Sequence, residues 1–94
     1  MSQIASALSV DYDILEDVMY IDKGTSQECY GEDGPRGLLF RRSHADDSAS
    51  GVTILDFDAK WKASKEEIVG AVSQYLGYPE SEVESKIVSA LALG

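Results

Sequence analysis

The stretch that most constrains the fold of this chain runs from Gly37 to Phe57 and reads GLLFRRSHADDSASGVTILDF. Two apolar runs, at 38–40 and 52–55, lie on either side of a polar segment whose tip falls near 44–50. Their side chains are β-branched, aromatic or leucine, which are types that pack well in strands. The pattern therefore predicts a long β-hairpin and, with it, a small sheet.

Upstream of this hairpin, the sequence predicts further strands. Residues 8–12 alternate apolar and polar side chains, which is the period of a half-buried strand. A turn is expected at 14–17, and residues 18–21 read as the returning strand. Residues 28–30 fit either a short third strand or part of a long loop.

The C-terminal third has a helical pattern instead. Two serines, each with a glutamate three residues later, match the capping box that opens a helix: Ser64 with Glu67, and Ser81 with Glu84. Apolar residues follow at helical spacing: Ile68, Val72, Tyr75 and Leu76 in the first helix, and Val83, Ile87, Ala90 and Leu91 in the second. Gly77 supplies a C-cap, and Pro79 cannot continue the first helix.

Together these patterns predict an α+β fold: an antiparallel β-meander of four to five strands, packed by two C-terminal helices. A chain of 94 residues suits a single domain with a thin core. Within residues 1–94 the sheet is expected over about 8–58 and an αα-hairpin over about 64–93. The apolar stripes of the helices need burial, and one face of the sheet offers it.

Charge is distributed unevenly along the chain. The net charge is -9, yet residues 1–35 carry eight carboxylates against one lysine, whereas residues 36–65 carry six basic against four acidic side chains. Such polarity can steer a protein partner with a basic surface. The alternative interpretation is solubility combined with internal neutralisation. Repulsion disfavours direct binding to nucleic acid or to an anionic membrane.

Cys29 is the only cysteine, which excludes an internal disulfide and a cysteine-based zinc cluster and suits a reducing cytosol. Residues 1–10 lack the basic and apolar regions of a signal peptide. No apolar stretch approaches the roughly 18 residues that a membrane span needs. We therefore expect a cytoplasmic protein.

The densest group of carboxylates consists of Asp11, Asp13, Glu16 and Asp17. A divalent-cation site is one interpretation. However, Leu15 and Glu16 occupy the fifth and sixth positions, where an EF-hand loop needs a ligand and a glycine. The favoured interpretation is a solvated edge of strand and turn that is open to a partner.

Arg41, Arg42 and Trp61 are the other candidate contact residues. We favour a structural ion pair between one arginine and Asp56 or Asp58 across the sheet, and contact with an anion or an acidic partner is the alternative. Trp61 is expected to plug the edge of the core with cation–π support from a neighbour, or else to act as an interface residue.

His44 is the only histidine, and Ser43, Asp46 and Asp47 lie beside it in the sequence. These residues share one presumed loop tip, where no oxyanion hole or oriented base is evident. A polar turn explains them better than a catalytic triad. We therefore expect no catalytic residues, no enzyme activity and no cofactor.

Two motifs resemble a known family. Residues 10–22, VDYDILEDVMYID, resemble the opening of the small uncharacterised bacterial family called domain of unknown function 2283, which has Tyr-Asp, then Asp, an apolar pair, Tyr and Ile. Residues 51–57, GVTILDF, are similar to its closing strand. The resemblance covers residues 10–62 and implies an antiparallel β-meander with a helix. Some members are similar to small proteins encoded beside toxin-like partners, so the resemblance also implies an antitoxin or accessory role.

The leading hypothesis is a small acidic, non-enzymatic protein-binding module, antitoxin-like or accessory, whose partner has a basic surface. One alternative is a phage or mobile-element inhibitor that mimics nucleic acid. Another is a weak divalent-metal-binding protein. A homodimer is also expected, because an exposed sheet edge invites pairing and a small core gains from it.

Overall fold

Five strands and two helices make up the part of the chain that the structure, a computed structural model, describes: residues 8–23, 29–34, 37–45 and 47–93. The strands are β1 (Leu8–Asp13), β2 (Val18–Lys23), β3 (Cys29–Asp33), β4 (Leu38–Ser43) and β5 (Ala49–Leu55). The helices are α1 (Phe57–Leu76) and α2 (Glu80–Leu93). The predicted α+β fold, an antiparallel sheet followed by two C-terminal helices, is confirmed. For residues 28–30 the sequence predicts either a short third strand or part of a long loop. Residues 29–33 form a strand, and Glu28 lies outside the described residues.

The sheet has the order β1-β2-β5-β4-β3, and all neighbouring strands are antiparallel. Strand β5 therefore lies in the centre, whereas a simple meander would place β3 beside β2. Burial explains this order, because Val52 and Ile54 are fully buried and Thr53 between them is nearly so. A strand covered on both faces belongs in the middle of a sheet. Strand β3 carries Gly31 and two carboxylates, which suits an edge.

One face of the sheet packs against both helices. The register sets Val10 opposite Ile21 and Ile21 opposite Val52, so apolar side chains of three strands share this face. The buried core is formed by Leu8, Met19, Ile21, Leu38, Val52 and Ile54 from the sheet and by Phe57, Ile68, Val69, Val72, Leu76, Val83, Ile87 and Ala90 from the helices. Both predicted helical stripes therefore face the sheet.

Helix α1 ends where the sequence predicts. Gly77 has the left-handed conformation, with φ 80° and ψ 30°, and its N–H donates to the carbonyl of Ser73 at 2.8 Å. Glycine adopts this conformation without a Cβ clash. In the part of the chain that the structure describes, neither helix combines the length and the apolarity that a membrane crossing requires.

The start predicted at Ser64 marks the second of two helical segments that together form α1. Helix α1 begins at Phe57, and Ser64 lies at a kink inside it, with non-helical φ -142° and ψ 41°. The sequence pattern missed the helical segment before Ser64, where the chain turns back directly after β5 and buries Phe57 in the core. Asp56 makes that turn in the left-handed conformation, with φ 50°.

The capping box predicted at Ser81 is wrong. Helix α2 begins at Glu80, so Ser81 lies within its first turn. The N–H groups of Glu82 and Val83 both donate to the carbonyl of Pro79 at 3.1 Å. Proline has a fixed φ that is compatible with a helix, so it can open the helix without a serine cap.

Candidate functional site

The face of the sheet turned away from the helices, here called the open face, carries the candidate site. Tyr20 lies between two fully buried core residues of β2, so alternation places its side chain on the open face. The register sets Asp11 of β1 and Thr53 of β5 on either side of Tyr20. Leu39 of β4 lies opposite Thr53. Side chains of four strands therefore share this face.

Four large hydrophobic side chains are exposed on this face and at its end, and we call them the apolar patch. Leu15 is 91% exposed and Ile14 61% exposed in the turn between β1 and β2. Tyr20 and Leu55 are 37% and 43% exposed on β2 and β5. Among the described residues, the other exposed large hydrophobic side chains lie on α2. A group of exposed apolar side chains is typical of a contact surface.

The turn between β1 and β2 is held against the junction of β5 and α1. The N–H of Phe57 donates to the carbonyl of Asp17 at 3.0 Å, and the N–H of Asp58 donates to the Asp17 carboxylate at 3.1 Å. Leu15 lies two positions before Asp17 in the chain, and Leu55 lies two positions before Phe57. These hydrogen bonds therefore bring the two exposed leucines to the same end of the molecule.

The four carboxylates predicted as a contact surface lie on β1 and in this turn. Asp11 and Glu16 are exposed, and the carboxylate of Asp13 accepts the N–H groups of Leu15 at 3.1 Å and of Glu16 at 3.2 Å, which fixes the turn. None of the four forms an ion pair within the described part of the chain. We call Asp11, Asp13 and Glu16 the acidic rim, because these carboxylates lie beside the apolar patch.

Asp17, the fourth of these carboxylates, also binds Tyr12. The Tyr12 hydroxyl donates to Oδ1 of Asp17 at 2.7 Å. This hydrogen bond, followed by desolvation and the negative charges nearby, raises the pKa of Tyr12 from 10.0 to about 12. The folded state therefore favours the neutral phenol. The resulting stabilisation is fully present below pH 10 and is lost as the pH rises through about 12.

We predict that Asp17→Asn lowers the pKa of Tyr12 towards 10, since the hydrogen bond to Asp17 is the largest cause of the shift. The measurement is an alkaline titration followed by the ultraviolet absorbance of phenolate. Tyr12→Phe is the control that identifies the Tyr12 signal by difference. An unchanged Tyr12 titration in Asp17→Asn would show that the carboxylate does not hold the phenol.

Arg41 lies across the open face and joins three strands. Its Nη1 contacts the carboxylate of Asp22 at 2.7 Å, and its Nη2 donates to the carbonyls of Ile21 at 3.1 Å and Val52 at 3.5 Å. Gly51 of β5 leaves room for the guanidinium, because a side chain there would meet it. Arg41 therefore connects β4 with β5 and β2 in the structure.

Arg42 has partners on the side of β3. Its Nε donates to Oε1 of Glu32 at 3.0 Å, and its guanidinium lies 5.7 Å from the centre of the Tyr75 ring. Neither arginine pairs with Asp56 or Asp58, so that prediction is wrong. The reason is the antiparallel register: the arginines pair with the start of β5, whereas both aspartates follow its end. Neither arginine forms an ion pair with a carboxylate of the acidic rim.

Trp61 lies at the edge of the core in the helix layer. Its ring stacks on Phe57 with a centroid distance of 5.3 Å and an angle of 26°, and Nζ of Lys65 lies 5.5 Å from its ring centre. It is half-buried and packs against the core. This is the packing that the sequence predicted for it. Its role as an interface residue stays a prediction. Trp61 lies in the helix layer, on the opposite side of the sheet from the open face.

Sequence reasoning missed the apolar patch as a functional surface. One signal was present, because Ile14 and Leu15 are adjacent apolar residues in a turn flanked by carboxylates. A strand or helix period assigns neither of them to a core. Tyr20 and Leu55 gave no such signal, because they look like ordinary strand residues until the helices are known to cover the other face.

Among the residues that the structure describes, no group of three or more His, Cys, Asp or Glu side chains is arranged to hold a metal ion. Comparison with protein-family models, with curated proteins and with solved structures finds no match for this chain. The resemblance to domain of unknown function 2283 and the roles that it implies therefore stay predictions.

Proposed function

We propose that this chain is a non-enzymatic protein-binding module, accessory or antitoxin-like, that docks a partner through the apolar patch and the acidic rim. The observation that carries the proposal is that exposed hydrophobic side chains and carboxylates without ion pairs meet at one end of the sheet. The accessory or antitoxin-like role agrees with what the family resemblance implies.

The two parts of the surface have different physical roles. Burial of the apolar patch supplies affinity, because removing apolar surface from water on binding is favourable. The acidic rim orients the partner and raises the association rate, since charges at the edge of an interface act mainly on the rate of diffusional encounter and on the choice of partner. The partner that fits is a protein with an apolar centre surrounded by lysine and arginine.

The experiment compares two matched double variants of the full chain as baits in an extract of the source organism. Leu15→Ser with Leu55→Ser removes side chains that are 91% and 43% exposed in the apolar patch. Leu93→Ser with Val88→Ser removes side chains that are 89% and 48% exposed on α2. We expect the first pair to weaken binding of the captured, purified partner by about fivefold or more, and the second to leave it unchanged.

The acidic rim is tested by charge reversal. Asp11→Lys with Glu16→Lys is expected to slow association with the same partner at low salt, and the difference is expected to shrink at high salt because ions screen exposed charges. Equal affinity for the unmodified chain and both serine pairs would refute docking through the apolar patch. Association rates that are insensitive to charge reversal and to salt would refute the role of the acidic rim.

A further inference from the structure

Strand β1 lies at one edge of the sheet and has the features of a strand that can accept another. It pairs with β2 residue for residue from Leu8 to Asp13, without a register shift. Among the described strands, none pairs with its outer side. In an antiparallel pair, alternate residues point their N–H and C=O groups away from the partner strand. A row of backbone donors and acceptors therefore faces outward along β1.

The side chains of β1 divide by chemistry between the two faces. On the open face lie Ser9, Asp11 and Asp13, and the last two belong to the acidic rim. On the helix side, Val10 and Tyr12 are half-buried and pack against the core. A strand added to β1 would therefore meet acidic and apolar side chains at alternate positions.

The opposite edge of the sheet is less suited to this role. Strand β3 has five residues, and its Glu32 already accepts a hydrogen bond from Arg42 at 3.0 Å. The hydroxyl of Tyr30 donates to the carboxylate of Asp47 at 2.7 Å. Two of the side chains that flank this edge are thus engaged within the chain, whereas Asp11 and Asp13 of β1 form no ion pair with a described residue.

A second copy of this chain is a poor occupant of the β1 edge. Residues directly opposite each other in neighbouring strands point to the same face, so pairing two β1 strands sets Asp11 opposite Ser9, Asp11 or Asp13 of the copy. Carboxylates then lie directly or diagonally across from carboxylates, which is destabilising. The same geometry favours an incoming strand with positive charges at these positions.

We propose that β1 binds an extended segment of a protein partner as a sixth strand, with lysine or arginine at every second position. The basic side chains face Asp11 and Asp13 on the open face, and the intervening apolar side chains pack against Val10 and Tyr12. Backbone hydrogen bonds to β1 hold the segment, and the alternation of basic and apolar side chains gives the specificity for its sequence. This inference rests on the proposed function and specifies the chemistry of the partner.

The test uses the full, isotopically labelled chain and the probe acetyl-Lys-Val-Lys-Val-Lys-Val-amide. We expect the peptide to shift the backbone amide resonances of residues 8–13 and to slow their hydrogen exchange. A peptide of the same composition in the order Lys-Lys-Lys-Val-Val-Val carries the same charge without the alternation. Two further versions of the alternating peptide carry methyl groups on every second backbone nitrogen. In one version the lysine nitrogens are methylated, and in the other the valine nitrogens are.

The expected result is that the block-ordered peptide and at least one methylated peptide bind tenfold or more weakly than the alternating peptide. Equal binding of the alternating and block-ordered peptides would reduce the effect to charge attraction and overturn the proposal. So would perturbations that fall on β3 rather than on β1. Asp11→Asn is expected to weaken binding several-fold, whereas Asp33→Asn, an exposed carboxylate on the other edge strand, serves as the control and is expected to leave it unchanged.

Failure of this proposal is distinguishable from failure of the proposed function. If no probe peptide binds β1 while the serine substitutions in the apolar patch still abolish partner capture, strand addition is wrong and docking through the patch stands. If the alternating peptide binds β1 but those serine substitutions leave partner capture unchanged, strand addition is supported and docking through the patch is wrong.

Discussion

Phe57→Ala is expected to lower the free energy of unfolding by about 3–5 kcal/mol, the range for truncating a buried phenylalanine. Phe57 is fully buried where β5 ends and α1 begins. Its ring contacts Tyr12 of β1 with a centroid distance of 5.6 Å and Trp61 of α1 with one of 5.3 Å. Truncation therefore opens a cavity between the sheet edge and the helix layer.

The effect is measured by urea unfolding at neutral pH, with the midpoint and the slope analysed separately. A domain of this size has a total stability of about 5–15 kcal/mol, so a loss of this magnitude leaves the variant close to unfolding. The midpoint temperature of thermal unfolding is expected to fall by more than about 10 °C. Circular dichroism follows both transitions.

Leu55→Ala is the matched control for Phe57→Ala, two positions earlier in the chain. Its side chain is exposed, and surface truncations usually change stability by no more than about 0.5 kcal/mol. Comparing Leu55→Ala with Phe57→Ala therefore distinguishes the stability cost of truncating a core residue from that of truncating a residue of the apolar patch. Equal losses of stability in both would contradict the assignment of Phe57 to the core and of Leu55 to a contact surface.

Local periodicity is why most of the elements were predictable. Alternation marked β1, the run at 18–21 marked the returning strand β2, and the spacing of residues such as Ile68 and Val72 marked the face of α1 that the sheet covers. These signals depend only on neighbours in the chain. The grouping of acidic side chains was predictable for the same reason, since Asp11, Asp13 and Glu16 are close in sequence.

Long-range pairing is what the sequence did not reveal. The insertion of β5 between β2 and β4 is decided by which strand buries both faces, and no local signal ranks strands in that way. The helical segment that precedes Ser64 in α1 has the same origin, because no local signal in the sequence marks the burial of Phe57 in the core. The apolar patch depends on where the first turn docks, so only the folded chain brings Leu15 and Leu55 to the same end of the molecule.

The arginine on the open face illustrates the same limit. The sequence indicated a structural ion pair, but its carboxylate, Asp22, lies two strands away from Arg41 through β5. The guanidinium reaches it by crossing Gly51. A glycine inside a strand indicates a close approach of some group, yet only the strand order identifies that group.

Gly51→Ala is expected to destabilise the fold by about 1–3 kcal/mol, the range for overpacking a buried site. A Cβ at this position would lie 2.5 Å from Nη2 of Arg41 and 2.5 Å from the carbonyl oxygen of Ile21. The oxygen belongs to the backbone of β2 and cannot move aside without disturbing the sheet. Gly31→Ala is the control, because its nearest neighbour would be Cγ of Arg41 at 3.9 Å, an ordinary contact.

A double-mutant cycle with Arg41→Met divides this cost between its two sources. Methionine keeps an unbranched stem but has no guanidinium, so the alanine at position 51 then meets only the carbonyl of Ile21. We expect Gly51→Ala to cost less in the Arg41→Met background than in the original chain, with a coupling of about 0.5 kcal/mol or more. Full additivity in urea unfolding would show that the guanidinium does not lie over Gly51, and the three-strand connection by Arg41 would have to be abandoned.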